Sequence, residues 1–171
     1  MLANSIQELA AYAKQNPGKL SWGTPGVGTY SHLICEAFKA QAGVDILHVP
    51  YRGTGESMPD FLAGVVHIQS DPVTLPHVVA GKAKLPAVLG HERRPDFPNV
   101  PLLNEIYRAL DFRVWFGIFA PPGTPQSIVA AMSYAMNKVA GDPDLRQTLF
   151  AIAMAPNPGT PEALATLLRD D

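Results

Sequence analysis

The 171 residues suffice for one full domain or for parts of two, and an apolar share of 47% supplies a buried core. Only 16% of the side chains are charged and 17 residues are proline, about twice the usual share, so many connections are proline-stiffened. The net charge of −2, with 13 Lys and Arg scattered along the chain, argues against nucleic acid as a partner, because phosphate binding needs a basic stripe. A single cysteine, Cys35, leaves no intramolecular disulfide or cysteine metal cluster to form. No stretch approaches the ~18 apolar residues of a membrane span, so direct membrane insertion is not expected. The opening MLANSIQELAAY lacks the basic and apolar regions of an export signal, which makes the chain as written cytoplasmic.

In chain order, Asn4 or Ser5 caps a helix over 4–15, with Ile6, Leu9, Ala10 and Ala13 on one face, and Asn16-Pro17-Gly18 ends it. KLSWG is apolar enough for a strand, and the glycine-rich turn GTPGVGT leads from it into a helix over 32–41 that Gly43 closes. DILHVPY reads as a buried strand, ESMPDFLA as a short helix, and VVHIQSD as a strand ending on Asp71. A proline-broken helix over 72–80 and the strand AKLPAVLG bring the first ninety residues to an αβαβαβαβ alternation. That alternation implies a largely parallel sheet covered by helices.

HERRPDFPNVP interrupts the rhythm with four charged side chains and three prolines, the composition of a solvated loop. FRVWFGIFAP is strand-like. In PPGTPQ, Thr124 is positioned as an N-cap and Pro125 as the first residue of an amphipathic helix over 126–139. Helices over 144–154 and 160–168 follow. An all-helical tail with apolar faces needs a sheet to lie on, and the sequence looks incomplete near 110–122, where the alternation stops.

In GTPGVGT the glycines permit positive φ, and the turn opens directly into a helix whose free N–H groups and dipole favour an anion without any basic side chain. Thr24, Thr29 and Ser31 add hydroxyls. The spacing of Gly23, Gly26 and Gly28 is not the dinucleotide fingerprint, and no Lys-Ser or Lys-Thr follows, which disfavours NAD and nucleoside triphosphates. A purely structural turn remains open as an alternative. VPYRGTGES repeats the geometry after the next strand, which sets both turns and Asp71 on the sheet edge where open α/β folds bind ligands. Asp71 reads equally as the cap of the helix that follows it. Tyr30 and Tyr51 flank the turns and could form a pocket wall.

The inventory for catalysis is poor. No serine lies in a nucleophile elbow, and Cys35 sits mid-helix on an apolar face. Among the five histidines no pair has the i, i+4 spacing of a helical metal site, although His48 and His67 occupy strands that could be neighbours, and no metal ligand set is assigned. His32, in the first turn after the glycine loop, could support that loop or touch a ligand.

Read in order, the stretch from ELAAYAKQNPGKLSWGTPGVGTYSHLICEAF through ILHVPYRGTGESMPDFLAG, then HVVAGKAK, RPDFPNVPLL and FGIFAPPGTPQSIV, closely resembles the extracytoplasmic solute-binding receptors of tripartite tricarboxylate transporters, the Bug-type receptors. The resemblance covers nearly all of the chain. It implies a periplasmic, type II periplasmic-binding-protein-like α/β fold: one nearly complete parallel-sheet domain over 1–112, and over 113–171 the helical C-terminal part of the other domain, lacking its N-terminal strands. It implies no catalysis, no cofactor and no metal. The implied partners are a small organic carboxylate and the membrane components of the transporter.

By the same resemblance the carboxylate is held by main-chain N–H groups and hydroxyls. The contacts carried over are Thr24, Gly28, Thr29 and His32 from the glycine loop, with Asp71 where the family often has an aspartate at the cleft; Gly26, which lets the backbone approach, and Tyr51, from the VPYRG turn, complete the candidate ligand-binding set. AKLPAVLGHERR departs from the family pattern, with Pro86 removing a ladder donor, and NEIYRALDF departs from the family's glycine-containing turn. The facing loop expected from the other domain is not in this sequence. Two alternatives stand beside the receptor: an α/β transferase or hydrolase using His32 as general base, which requires a nucleophile close to that ring, and a truncated product with no independent binding activity.

Overall fold

Ser5 opens α1 (Ile6–Gln15) by accepting the Glu8 N–H on its hydroxyl, while the Glu8 carboxylate accepts the Asn4 N–H at 2.7 Å. Ile6, Leu9, Ala10 and Ala13 form the buried face, as their spacing requires. The computed structural model describes residues 3–112 and 114–170. Met1, Leu2 and Asp171, and Arg113 within the expected extended stretch and at the expected domain boundary, lie outside them.

The chain resolves into two units, one running through Val114 and one beginning at Trp115. In the first, β1 (Ser21–Thr24) is the middle of a three-stranded parallel sheet of order β2-β1-β3, with β2 (Leu47–Pro50) on one side and β3 (Ile68–Gln69) on the other. Each strand is followed by a helical crossover: α2 (Tyr30–Ala42) after β1, α3 (Thr54–Ala63) after β2, and after β3 a 3-10 turn (Pro72–Thr74) running into α4 (Leu75–Val79). Gly43 closes α2 in the left-handed region at φ 61°, where a Cβ would strain the backbone.

All four β1 residues are buried, as befits the central strand. Trp22 packs on Phe38 of α2 with ring centroids 5.7 Å apart. The next residue points to the other face of the sheet. A Cβ on Gly23 would stand 3.2 Å from Val66 and 3.5 Å from the Tyr51 ring, so glycine is what lets these neighbours close on the strand. Ile34, Cys35 and Phe38 of α2, with Leu20 and Ile46, are the fully buried centre of the core. After α5 (Leu103–Ile106) the chain returns over α2, setting Tyr107 edge-on to Phe38 and Phe112 edge-on to Tyr30. Truncating Phe38 to alanine would remove about 3–5 kcal/mol from this unit.

Two expected strands are not formed. AKLPAVLG joins no sheet and makes a single parallel bridge, Val88 to Leu102, because Pro86 has no N–H to donate and the segment touches its partner at one point only. Residues 114–121 carry no strand either: a strand needs a ladder partner, and the described part of the second unit consists of helices and connections. Two others form in altered shape: DILHVPY, expected buried, is an edge strand with Leu47 exposed, and VVHIQSD contributes only Ile68–Gln69 to the sheet. Some boundaries shift by a residue or two. The helix after the glycine turn starts at Tyr30 rather than 32. Pro125 is the N-cap of α6 (Gln126–Ala140) rather than its first residue, and Thr124 turns its hydroxyl back to the Pro121 carbonyl at 2.8 Å instead of capping.

In the second unit, Asp142 caps α7 (Pro143–Ala151) by accepting the Asp144 and Leu145 N–H groups. α8 (Pro161–Asp170) begins behind Thr160, whose hydroxyl accepts the Ala163 N–H. No described residue of this unit is buried. Phe116 and Tyr134 are 77% and 73% exposed, and Ile128, Met132, Val139 and Phe150 are also exposed. These helices are amphipathic without anything of their own to cover the apolar side. Among the described residues, no helix is long and apolar enough to cross a membrane.

Candidate functional site

The turn between β1 and α2 is shaped by two glycines in conformations other residues rarely adopt, Gly26 at φ 140° and Gly28 at φ 80°. Hydrogen bonds lock it from inside. The Thr29 hydroxyl donates to the Gly26 carbonyl at 2.7 Å, and the Gly28 N–H donates to His32 Nδ1 at 3.1 Å. The far side of the turn is tied to β2, because the Tyr51 N–H donates to the Thr24 carbonyl at 2.9 Å.

Thr29 is the N-cap residue of α2, yet its hydroxyl is directed back into the loop and makes no capping bond to the helix. The first turn of α2 carries no acidic side chain. The N–H groups that begin a helix have no intrahelical partner, and here their own cap residue does not serve them. A thirteen-residue helix aims its positive dipole end at the same point. The arrangement can bind an anion through the backbone alone.

Thr24 contributes differently from a surface hydroxyl. It is fully buried, and its Oγ1 lies 2.7 Å from His48 Nε2 and 3.4 Å from the Gly26 nitrogen. It thus ties the root of the loop to β2. His48 in turn stacks on His32, ring centroids 4.2 Å apart and planes inclined by 26°. Burial, and secondarily the neighbouring His32, hold the His48 imidazole below the usual histidine range. Trp22, Thr24 and His48 share the face of the sheet that α2 covers, since side chains two apart on a strand point the same way.

At the end of β2, the Tyr51 hydroxyl donates to Asp60 Oδ2 at 2.7 Å, and this bond, ahead of burial, pushes the phenol up to about 12. Asp71, just beyond β3, accepts the Val73 N–H on one oxygen and the Thr54 hydroxyl on the other, bridging the start of the 3-10 turn to the start of α3. Its capping role is realised. Ser57, fully buried behind it, accepts from the Gln69 side-chain amide at 2.8 Å.

Thr24, Gly26, Gly28, Thr29, His32 and Tyr51 therefore meet where β1 and β2 end, and Asp71 stands beyond β3, across the central strand from Tyr51. His48 and His67 are not neighbours. β1 lies between their strands, and His67 bonds instead to Ser21 at the other end of β1, its Nδ1 2.8 Å from the hydroxyl. Among the described residues no hydroxyl or thiol is hydrogen-bonded to His32, the arrangement that a general base and nucleophile would require.

Sequence reasoning missed the role of His48, which it considered only as a possible neighbour of His67, and the pairing of Tyr51 with Asp60. Only the register between β1 and β2 brings His48 beneath Thr24. The one sequence signal was Asp60 nine residues after Tyr51, too weak to single out. Glu36 was also passed over. It lies i, i+4 from His32 and, with His48, forms a group whose ligand atoms are all within 4.8 Å of one another, an arrangement that a comparison of histidine pairs alone cannot detect.

A parallel α/β sheet whose strands end in glycine turns opening into helices is a ligand-binding architecture with its site along that edge. Residues 2–171 match the tripartite tricarboxylate transporter family receptor, and the chain belongs to that family. It is 36% identical over 170 residues to the UPF0065 protein of the tcbD-tcbE intergenic region of Pseudomonas sp. strain P51, covering 97% of this chain and 51% of that one. It is 39% identical over 153 residues to a UPF0065 protein of the gbd 5' region of Cupriavidus necator, covering 89% and 47%.

Three solved structures are similar in fold, which is that of a type II periplasmic-binding-protein-like chain represented in part. R. palustris Rpa4515 with adipate superposes with a TM-score of 0.89 at 30% identity, over 98% of this chain and 57% of that one. The periplasmic binding protein BugD gives 0.87 at 29%, over 99% and 58%. MatC from Rhodopseudomonas palustris with bound malate gives 0.82 at 29%, over 97% and 58%. The chain thus spans about half the length of the relatives it matches.

Proposed function

We propose that this chain is the ligand-capturing part of a periplasmic receptor that takes up a small organic carboxylate and passes it to the membrane components of a tripartite tricarboxylate transporter. The observation that carries the reading is the uncapped start of α2 behind a positive-φ glycine loop, a backbone anion site with no arginine or lysine in it. Family membership and the adipate and malate of the two neighbours supply the ligand class: a short dicarboxylate.

In this reading Gly26 and Gly28 give the backbone its path, and the first N–H groups of α2 hold the carboxylate. Thr29 and His32 keep the loop in shape while bordering the ligand, Thr24 braces it from below, and Tyr51 and Asp71 flank the opening. Residues 1–112 act as one lobe. Residues 113–171 belong to a second lobe that needs further strands to cover its helices, a need supported by the lack of any buried residue among those described in the unit from Trp115 onward. Only one half of the carboxylate clamp is then provided here.

The test is calorimetric titration of mono-, di- and tricarboxylates into two proteins: the chain alone, and the chain joined behind the N-terminal half of the Cupriavidus relative. The expected result is micromolar dicarboxylate binding to the joined protein and at best millimolar binding to the chain alone, a difference of about 4 kcal/mol. Micromolar affinity in the chain alone would overturn the half-clamp, and no binding to either would overturn the receptor reading.

A further inference from the structure

His32 and Glu36 occupy successive turns of one face of α2, and His48 reaches the same point from β2. His32 Nε2 is 4.0 Å from Glu36 Oε1, the two imidazoles are stacked, and one nitrogen from each ring and one carboxylate oxygen lie within 4.8 Å of one another. Two imidazoles and a carboxylate are the donor set of three-ligand zinc sites. We propose that His32, Glu36 and His48 form a zinc-class divalent metal site with a fourth position open to water, which shares His32 with the glycine loop but takes its ion whether or not that loop holds a carboxylate.

The geometry defines what must move. Tetrahedral zinc with bonds of about 2.1 Å separates its donors by about 3.4 Å, so the three atoms have to close by up to about 1.4 Å. Glu36 can supply much of this, because its side chain is 46% exposed and, among the described residues, its other partner is Lys39 Nζ at 2.8 Å. The ion would displace that ammonium, which then swings into solvent. The rings, already inclined by 26°, have to open further so that their lone pairs converge.

Binding also has a consequence for the loop. Nδ1 of His32 accepts the Gly28 N–H, so the neutral ring carries its proton on Nε2. A metal on Nε2 needs that nitrogen bare, the proton passes to Nδ1, and two donors then face each other across the Gly28 contact. The metal-bound state therefore releases Gly28 from His32 and loosens the glycine loop.

The test is titration of zinc chloride into the full chain, with cobalt as a spectroscopic substitute. The expected result is one ion per chain and visible absorption typical of four-coordinate cobalt, with affinity falling at least tenfold in Glu36→Gln and in His48→Gln. Lys39→Ala should raise affinity severalfold by freeing the carboxylate. Glu36 and Lys39 are partly exposed, so these two variants fold irrespective of His48, and circular dichroism verifies that. Amide exchange of Gly28 should quicken on zinc binding. Absence of binding, affinity unchanged in Glu36→Gln, or a cobalt spectrum of six-coordinate type would each overturn the site.

Discussion

The buried Thr24 hydroxyl separates two views of the glycine loop, as an anion donor or as a brace. Thr24→Val keeps the shape of the side chain and removes its Oγ1, which lies 2.7 Å from His48 Nε2 and 3.4 Å from the Gly26 nitrogen at a fully buried position. The 3.4 Å contact is long and contributes little. Loss of the short one leaves a half-buried imidazole nitrogen without a partner, which costs about 1–3 kcal/mol. For a unit of this size a change of about 2 kcal/mol lowers the melting temperature by roughly 8–16 °C, somewhat less in the whole chain. Thermal unfolding followed by circular dichroism reads the effect, with Thr24→Ser as the control that restores the hydroxyl. The double variant Thr24→Val/His48→Phe should lose less than the sum of the single changes, because no orphaned group remains. A Thr24→Val melting temperature within 1–2 °C of the parent, or strict additivity in the double variant, would refute the brace.

Further outcomes follow from the same geometry. Gly26→Ala places a Cβ at φ 140° and 3.5 Å from the Tyr51 carbonyl; it should lower stability by about 1–3 kcal/mol and weaken any dicarboxylate thermal shift. The Tyr51 phenol, raised to about 12 by its bond to Asp60, adds stability that is fully present below its unfolded value near 10 and disappears as pH rises toward 12; the melting curves of Tyr51→Phe and parent should converge over that interval. Cys35 is fully buried with its thiol pushed up to about 11, chiefly by burial, so the folded chain should resist a thiol reagent that labels the unfolded chain at once. The uncovered helices of the second unit should make the chain self-associate and bind a hydrophobic dye, and Tyr134→Lys with Ile128→Lys should reduce both in sedimentation and fluorescence assays without lowering the melting temperature.

Much of the first unit was legible because its signals are local. Ser5 with Glu8, Gly43 after α2 and Asp71 before its 3-10 turn each act within a few residues, and the α1 periodicity states its buried face directly. The glycine loop was legible for the same reason, since Gly26 and Gly28 announce torsions no other residue tolerates well. What failed was non-local. AKLPAVLG has the composition of a strand, yet a strand exists only by pairing, and one bridge to Leu102 is all the pairing it receives. His48 acquired its role through a register with β1 that nothing in its own neighbourhood encodes. Thr124 was misread by a single residue, because either Pro125 or Thr124 can open a helix there and only the bond to Pro121 decides between them.

In the proposed reading, the Gly26 to Gly28 turn and the helix behind it would meet an anion with main-chain N–H groups, which every amino acid except proline possesses. Point mutation can reshape the walls around such an anchor, lengthening or shortening the space for the rest of a ligand, while the anchor itself persists as long as two torsion angles are permitted. On that reading, a lineage built on this turn could change what it recognises at one end of a molecule and keep an unaltered grip on the other. Its hereditary constraint is the absence of a side chain at two positions.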